Sequence, residues 1–100
     1  MTDDFAFDPA TTTIEAGSTV TFVNDSDQPH TVTAYEDEVP EGGFFSSGDF
    51  ASEKEAREGI ANALITPGES FEVSLETPGT YRYFCIPHEQ QGMRGTLTVE

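Results

Sequence analysis

The apolar residues of this chain alternate more than they run together, and that rhythm constrains the fold more than any other feature. Phe71, Val73 and Leu75 interleave with Glu72, Ser74 and Glu76, the two-residue period of a strand with one buried face. Val20 and Phe22 alternate in the same way within Thr19–Val23. Thr11–Glu15, Thr31–Tyr35, Gly79–Cys85 and Arg94–Val99 read as further extended segments. Turn formers separate them: Ala16-Gly17-Ser18, the stretch 24–29, Pro67-Gly68 and Pro78-Gly79. Short strands at short intervals predict an all-β fold, an antiparallel sandwich or barrel. At 100 residues the chain has the length of a single domain, residues 1–100.

The middle of the chain breaks the rhythm. Residues 37–48 are acidic and glycine-rich, and Phe44 and Phe45 within them and Phe50 just after are placed either to anchor the segment on a sheet or to form a partner surface. Ser52-Glu53-Lys54-Glu55 then matches a capping box, in which the Ser hydroxyl and the Glu carboxylate satisfy backbone N–H groups reciprocally. Ala56, Ile60 and Leu64 follow at helical spacing and give one apolar stripe. One short helix is expected here, inside a long excursion between strands.

Charge removes several functions. Four basic against nineteen acidic residues leave a formal charge of −15, which excludes nucleic acid and anionic membrane as direct partners. No apolar run approaches the roughly 20 residues of a membrane span. Asp3 and Asp4 stand where a signal peptide would carry basic residues, so neither an export signal nor an anchor is expected in this chain.

The rare residues carry the chemistry. One Cys excludes an intrachain disulfide, multi-cysteine zinc sites and iron–sulfur clusters. Apart from Met1 there are one Cys, two His and one Met, and three of these four fall within the nine residues from Cys85 to Met93. If Gly79–Cys85 and Arg94–Val99 are neighbouring strands, Cys85, His88 and Met93 share the loop at one end of the sandwich. His30, which opens another strand after a turn, can join them from across it. Zinc rarely takes a thioether, and calcium and magnesium want oxygen. Two His and one Cys in a plane with a weak axial Met suit copper in electron transfer.

These motifs resemble those of cupredoxins of the plastocyanin type, and in flavour those of halocyanins. The resemblance spans nearly the whole chain: Phe5-Ala6-Phe7-Asp8-Pro9, Val20-Thr21-Phe22-Val23-Asn24, Pro29-His30-Thr31-Val32, Glu36-Asp37-Glu38-Val39-Pro40, Gly79 through His88, and Gly92-Met93-Arg94-Gly95. It implies a Greek-key β-sandwich holding one type 1 copper, with His30, Cys85 and His88 equatorial and Met93 axial. It implies Asn24 near His30, a Thr31 amide donating to the Cys85 sulfur, and an electron-transfer surface at His88 bordered by Pro87 and Phe5. The expected role is a one-electron carrier, not an enzyme, working as a monomer between redox proteins of the cytochrome, photosystem or oxidase type, without a small-molecule substrate. The alternative is a copper storage or delivery module, or the copper domain of a larger redox protein. The setting implied is extracytoplasmic or membrane-associated. Where plant plastocyanins carry a Tyr before the Cys, as part of a second electron route, this chain has Phe84; Tyr83 is expected on the opposite face.

Other features weigh less. Phe5, Phe7, Phe22, Phe71 and Phe84 read as core. Asp25-Ser26-Asp27 with Glu36 has calcium-loop spacing, but Pro29 and His30 stand where that loop needs a ligand and Gly. The acids, concentrated at Glu36-Asp37-Glu38 and Glu41 but spread along the chain, fit a docking patch or general solubility less well than adaptation to molar salt.

Overall fold

A computed structural model describes all 100 residues. Six strands form: β1 (Thr11–Ile14), β2 (Ser18–Val23), β3 (Thr33–Ala34), β4 (Ser70–Leu75), β5 (Gly79–Phe84) and β6 (Arg94–Val99). They make a four-stranded sheet in the order β1-β6-β5-β3 and a two-stranded sheet of β2 and β4. The alternation sets the inner faces. Phe22 and Leu75 point in from the small sheet, and Tyr81, Tyr83, Leu97 and Val99 point in from the large one. Phe7, Val32 and Phe45 fill the space between, and Cys85 and Met93 belong to the same core.

Two expectations change. All other pairings are antiparallel, but β1 runs parallel to β6, with Thr11 opposite Thr96 and Ile14 opposite Val99. Alternation places a side chain in or out but does not select the direction of a neighbour far away in sequence. Extended pairing within 31–35 is confined to Thr33 and Ala34. Ahead of it, His30 forms a single bridge to Ile65, so this edge is stitched to the excursion.

The excursion holds one α-helix, α1 (Glu53–Glu58), capped by Ser52, whose hydroxyl accepts the Glu55 N–H. It stops at Gly59 and a 3-10 turn follows over Ile60–Asn62, so the stripe through Ile60 and Leu64 lies only partly on the helix. Ala56 is its one buried residue. The three phenylalanines anchor the segment: Phe45 enters the core, Phe44 packs against it, and the Phe50 ring fills the space above Gly59.

Candidate metal centre

Strand β5 ends at Phe84 and places Cys85 at the mouth of the sandwich. The chain then turns through 3-10 geometry over Ile86–Gln91. Pro87 favours this start, since a proline needs no N–H partner in a first turn. Gly92, at φ +88°, reverses the chain into β6, a backbone position that a side chain would strain. Cys85 N–H donates to Met93 O at 3.0 Å and His88 N–H to Cys85 O at 3.2 Å, so the loop closes on itself. Three of the four sequence-predicted ligands are thereby tied by backbone. His30 arrives from across the core, its N–H on Ile65 O at 3.1 Å and its O accepting Ile65 N–H at 2.7 Å.

The donor atoms converge. His30 Nδ1 and His88 Nδ1 are 3.2 Å apart, and Cys85 Sγ lies 3.7 Å from the first and 3.5 Å from the second. A triangle with those sides has one point about 2.0 Å from every corner, close to the roughly 2.0–2.3 Å of metal bonds to imidazole nitrogen and thiolate sulfur. The set fits a small ion with a taste for both nitrogen and soft sulfur. Met93 is fully buried at the base of the same loop.

The surroundings prepare these groups for a metal. Burial pushes the Cys85 thiol up, against the pull of the Thr31 N–H, which donates to Sγ at 3.3 Å. Burial pulls both imidazoles down, and for His30 the neighbouring His88 adds to it. Neutral imidazoles are the form that binds metal. Thr31 Oγ1 accepts the Ile86 N–H at 2.8 Å and so fastens the His30 segment to the loop after Cys85. Asn24 reaches His30 only through Ser26, whose hydroxyl is 2.9 Å from His30 Nε2 and 2.6 Å from Asn24 Oδ1. Sequence reasoning missed Ser26. It sits in a turn full of polar residues, and nothing in the ligand motif marks it.

The outer rim also has a defined form. The His88 ring is half-buried under Phe5, centroids 4.3 Å apart and planes 23° from parallel, while Pro87 is exposed beside it. Phe5 is therefore rim, and not core as its companions Phe7 and Phe22 are. Tyr83 faces the core between Phe7 and Phe22. Phe84 faces away, fully buried beneath the stacked ring of Tyr35 at 4.3 Å and the Arg57 guanidinium at 4.4 Å.

Comparison with known proteins agrees with this chemistry. The family described as copper binding proteins, plastocyanin/azurin family, matches residues 1–100. Plastocyanin of Scenedesmus fuscus is 45% identical over 94% of this chain and 86% of its own length. The chloroplastic plastocyanin of Oryza sativa subsp. indica is 42% identical over 93% of this chain, which spans about half (54%) of that protein. Among solved structures, oxidised plastocyanin from Dryopteris crassirhizoma superposes with a TM-score of 0.66 at 32% identity, covering 95% of this chain and 88% of the other. With the donor triangle, the thioether-bearing loop and the match along the full sequence in agreement, the chain belongs to the plastocyanin/azurin family of copper-binding proteins.

Proposed function

We propose that this protein is a one-electron carrier in which His30 Nδ1, Cys85 Sγ and His88 Nδ1 hold copper and Met93 supplies a weak fourth ligand. The observation that carries the reading is the donor triangle, whose sides are already those of a three-coordinate site. Copper bound there supplies a reversible Cu(I)/Cu(II) couple. The chain's part is to keep the ligands still. Cys85 is held by Thr31, His30 by Ser26 and Ile65, and the loop by its own hydrogen bonds. Ligands that do not move between redox states keep the reorganisation cost of electron transfer low. The exposed rim around His88, bordered by Phe5 and Pro87, is where electrons enter and leave.

A Cys–His hydrolase is disfavoured by the same geometry. Cys85 has no exposed surface, and its burial holds the thiol protonated, where a nucleophile needs an accessible thiolate. The partners we propose are redox proteins, of cytochrome and photosystem or oxidase type, met outside the cytoplasm and by a monomeric carrier. The likeness to plastocyanins supports this. No helix is long and apolar enough to cross a membrane. The test is a visible spectrum after one equivalent of Cu(II), then ascorbate. An intense thiolate–copper band that bleaches and returns on reoxidation is expected, as is its loss in Cys85→Ser. Weak absorption in the wild type, or an intense band surviving in Cys85→Ser, overturns the assignment.

A further inference from the structure

His30 has two ring nitrogens, and only one faces the donor triangle. Nδ1 is that one; Nε2 points away, 2.9 Å from Ser26 Oγ. Which nitrogen carries the proton is decided one residue further out. Ser26 Oγ and Asn24 Oδ1 are 2.6 Å apart, so a proton lies between them. The Asn24 amide cannot be turned over. Its nitrogen is 2.7 Å from Ile65 O and 2.8 Å from Gln28 O, two carbonyls that only accept, and its oxygen takes the Ser26 N–H at 3.2 Å. Exchanging oxygen and nitrogen would set acceptor against acceptor twice and donor against donor once, at a residue with no exposed surface.

Neither the Asn24 amide oxygen at 2.6 Å nor Gln28 O at 3.0 Å has a proton to give, so the Ser26 hydroxyl proton goes to that side, chiefly to the nearer Asn24, and its lone pairs are left to accept. One side accepts the Gln28 N–H at 3.2 Å; the other faces His30 Nε2, which must therefore carry the proton. Two backbone carbonyls thus dictate, through one amide and one hydroxyl, which nitrogen of a histidine is bare. His88 has no such chain behind it: its Nε2 has no protein acceptor.

Building on the copper reading, we propose that Ser26, oriented by Asn24, is a positioning residue that locks His30 in its Nε2–H tautomer and keeps Nδ1 bare before copper arrives. The hydrogen bond to the far nitrogen also makes the imidazole a stronger donor, which favours Cu(II) over Cu(I).

The test begins with metal-free, ¹⁵N-labelled wild type above the histidine titration range. Long-range proton–nitrogen correlations are expected to show His30 only as Nε2–H, with a slowly exchanging ring proton. His30 as Nδ1–H, or as a mixture, overturns the proposal. Ser26→Ala is expected to give a tautomer mixture with faster exchange, and to lower Cu(II) affinity about tenfold. Ser26→Thr, which keeps the hydroxyl, should restore both. A Ser26→Ala protein with tautomer, exchange and Cu(II) affinity all unchanged also overturns it. The tautomer readout needs no copper. A locked His30 in a protein that develops no thiolate–copper band would therefore confirm the lock and reject the ligand assignment.

Discussion

Phe5 holds its backbone at φ +55°, a region that side-chain-bearing residues avoid, and in doing so lays its ring on His88. Two effects oppose each other there. The stack is worth about 0.5–1.5 kcal/mol beyond burial, and the left-handed backbone costs on the order of 1 kcal/mol for a residue that is not Gly. Phe5→Ala loses the stack and keeps the strain; Phe5→Gly loses the stack and relieves it. Denaturant unfolding of the metal-free protein should therefore rank the glycine variant above the alanine variant by roughly 0.5–1 kcal/mol, the reverse of the usual order. Alanine above glycine would mean the conformation is not strained. At Met93 the expectation concerns redox balance. Met93→Leu should keep the intense absorption and raise the reduction potential, since losing a weak donor destabilises Cu(II) more than Cu(I). A lowered or unchanged potential would remove Met93 from the ligand set. Cys85, His88 and Met93 were readable because scarcity and spacing coincide in nine residues. Ser26 was not, because its role depends on which way a hydroxyl and an amide face, and no spacing encodes that.

Helix α1 and the Ile86–Gln91 turn are far apart in sequence and joined by one side chain. Arg57 pairs with Glu89 at 2.9 Å and with Glu53 at 2.9 Å, and its guanidinium covers the Phe84 ring. Glu89 also accepts the Tyr35 hydroxyl at 2.6 Å, so the turn carrying His88 is braced from β3's flank as well as from the helix. Arg57, and after it the Tyr35 hydroxyl, hold the Glu89 carboxyl below its usual range. A carboxylate depressed in the folded state adds stability above its unfolded pKa and loses it as pH falls through the folded one. Comparing wild type with Glu89→Gln by urea unfolding should show a wild-type advantage near neutrality, of at most about 1 kcal/mol for so exposed a pair. It should begin to decline as pH falls through the ordinary Glu range, about 4.3, and be gone only once pH is below the depressed folded value. An advantage that persists unchanged into acid would place the effect in packing instead of charge. The same turn shows the reach of sequence reading. The Ser52 N-cap and the alternation of β2 and β4 are local signals and formed as expected, although the Glu55 carboxylate takes the Ser52 hydroxyl and not its backbone N–H, so only one half of the capping box closes. The parallel β1–β6 pairing and the Arg57 brace are long-range choices, invisible until the chain is closed. Gly95 belongs with them: a side chain there would overlap the Tyr83 ring across the β5–β6 ladder, a constraint that only register reveals.

Over the whole molecule the excess of acid is a physical problem that salt can relieve. Only three ion pairs form, using Glu38, Glu53 and Glu89, so most of the 19 acids face water without a cation. A surface of 5464 Å² shared among 19 carboxylates leaves about 290 Å² each, a mean spacing of roughly 17 Å. At about 0.01 M salt the Debye length of ~30 Å exceeds that spacing and each carboxylate feels several others; at 0.1 M it is ~10 Å and most of the repulsion is gone. Screening alone therefore predicts a melting temperature that climbs steeply at low salt and levels off by about 0.3 M. We propose that the acidity is an adaptation to molar salt, and this demands more: a melting temperature still rising between 1 M and 3 M potassium chloride, where the Debye length is already ~3 Å and screening has nothing left to give. Neutralising two exposed acids, Glu72 on the outer face of β4 and Glu76 just beyond its end, as Glu72→Gln with Glu76→Gln, should shrink the low-salt climb by easing repulsion. If hydrated carboxylates are what respond to molar salt, it should shrink the high-salt rise too. A plateau above 0.3 M would assign the charge to solubility or docking, and the copper site would stand unaffected by either result, since its donors are fixed by buried hydrogen bonds that salt does not screen.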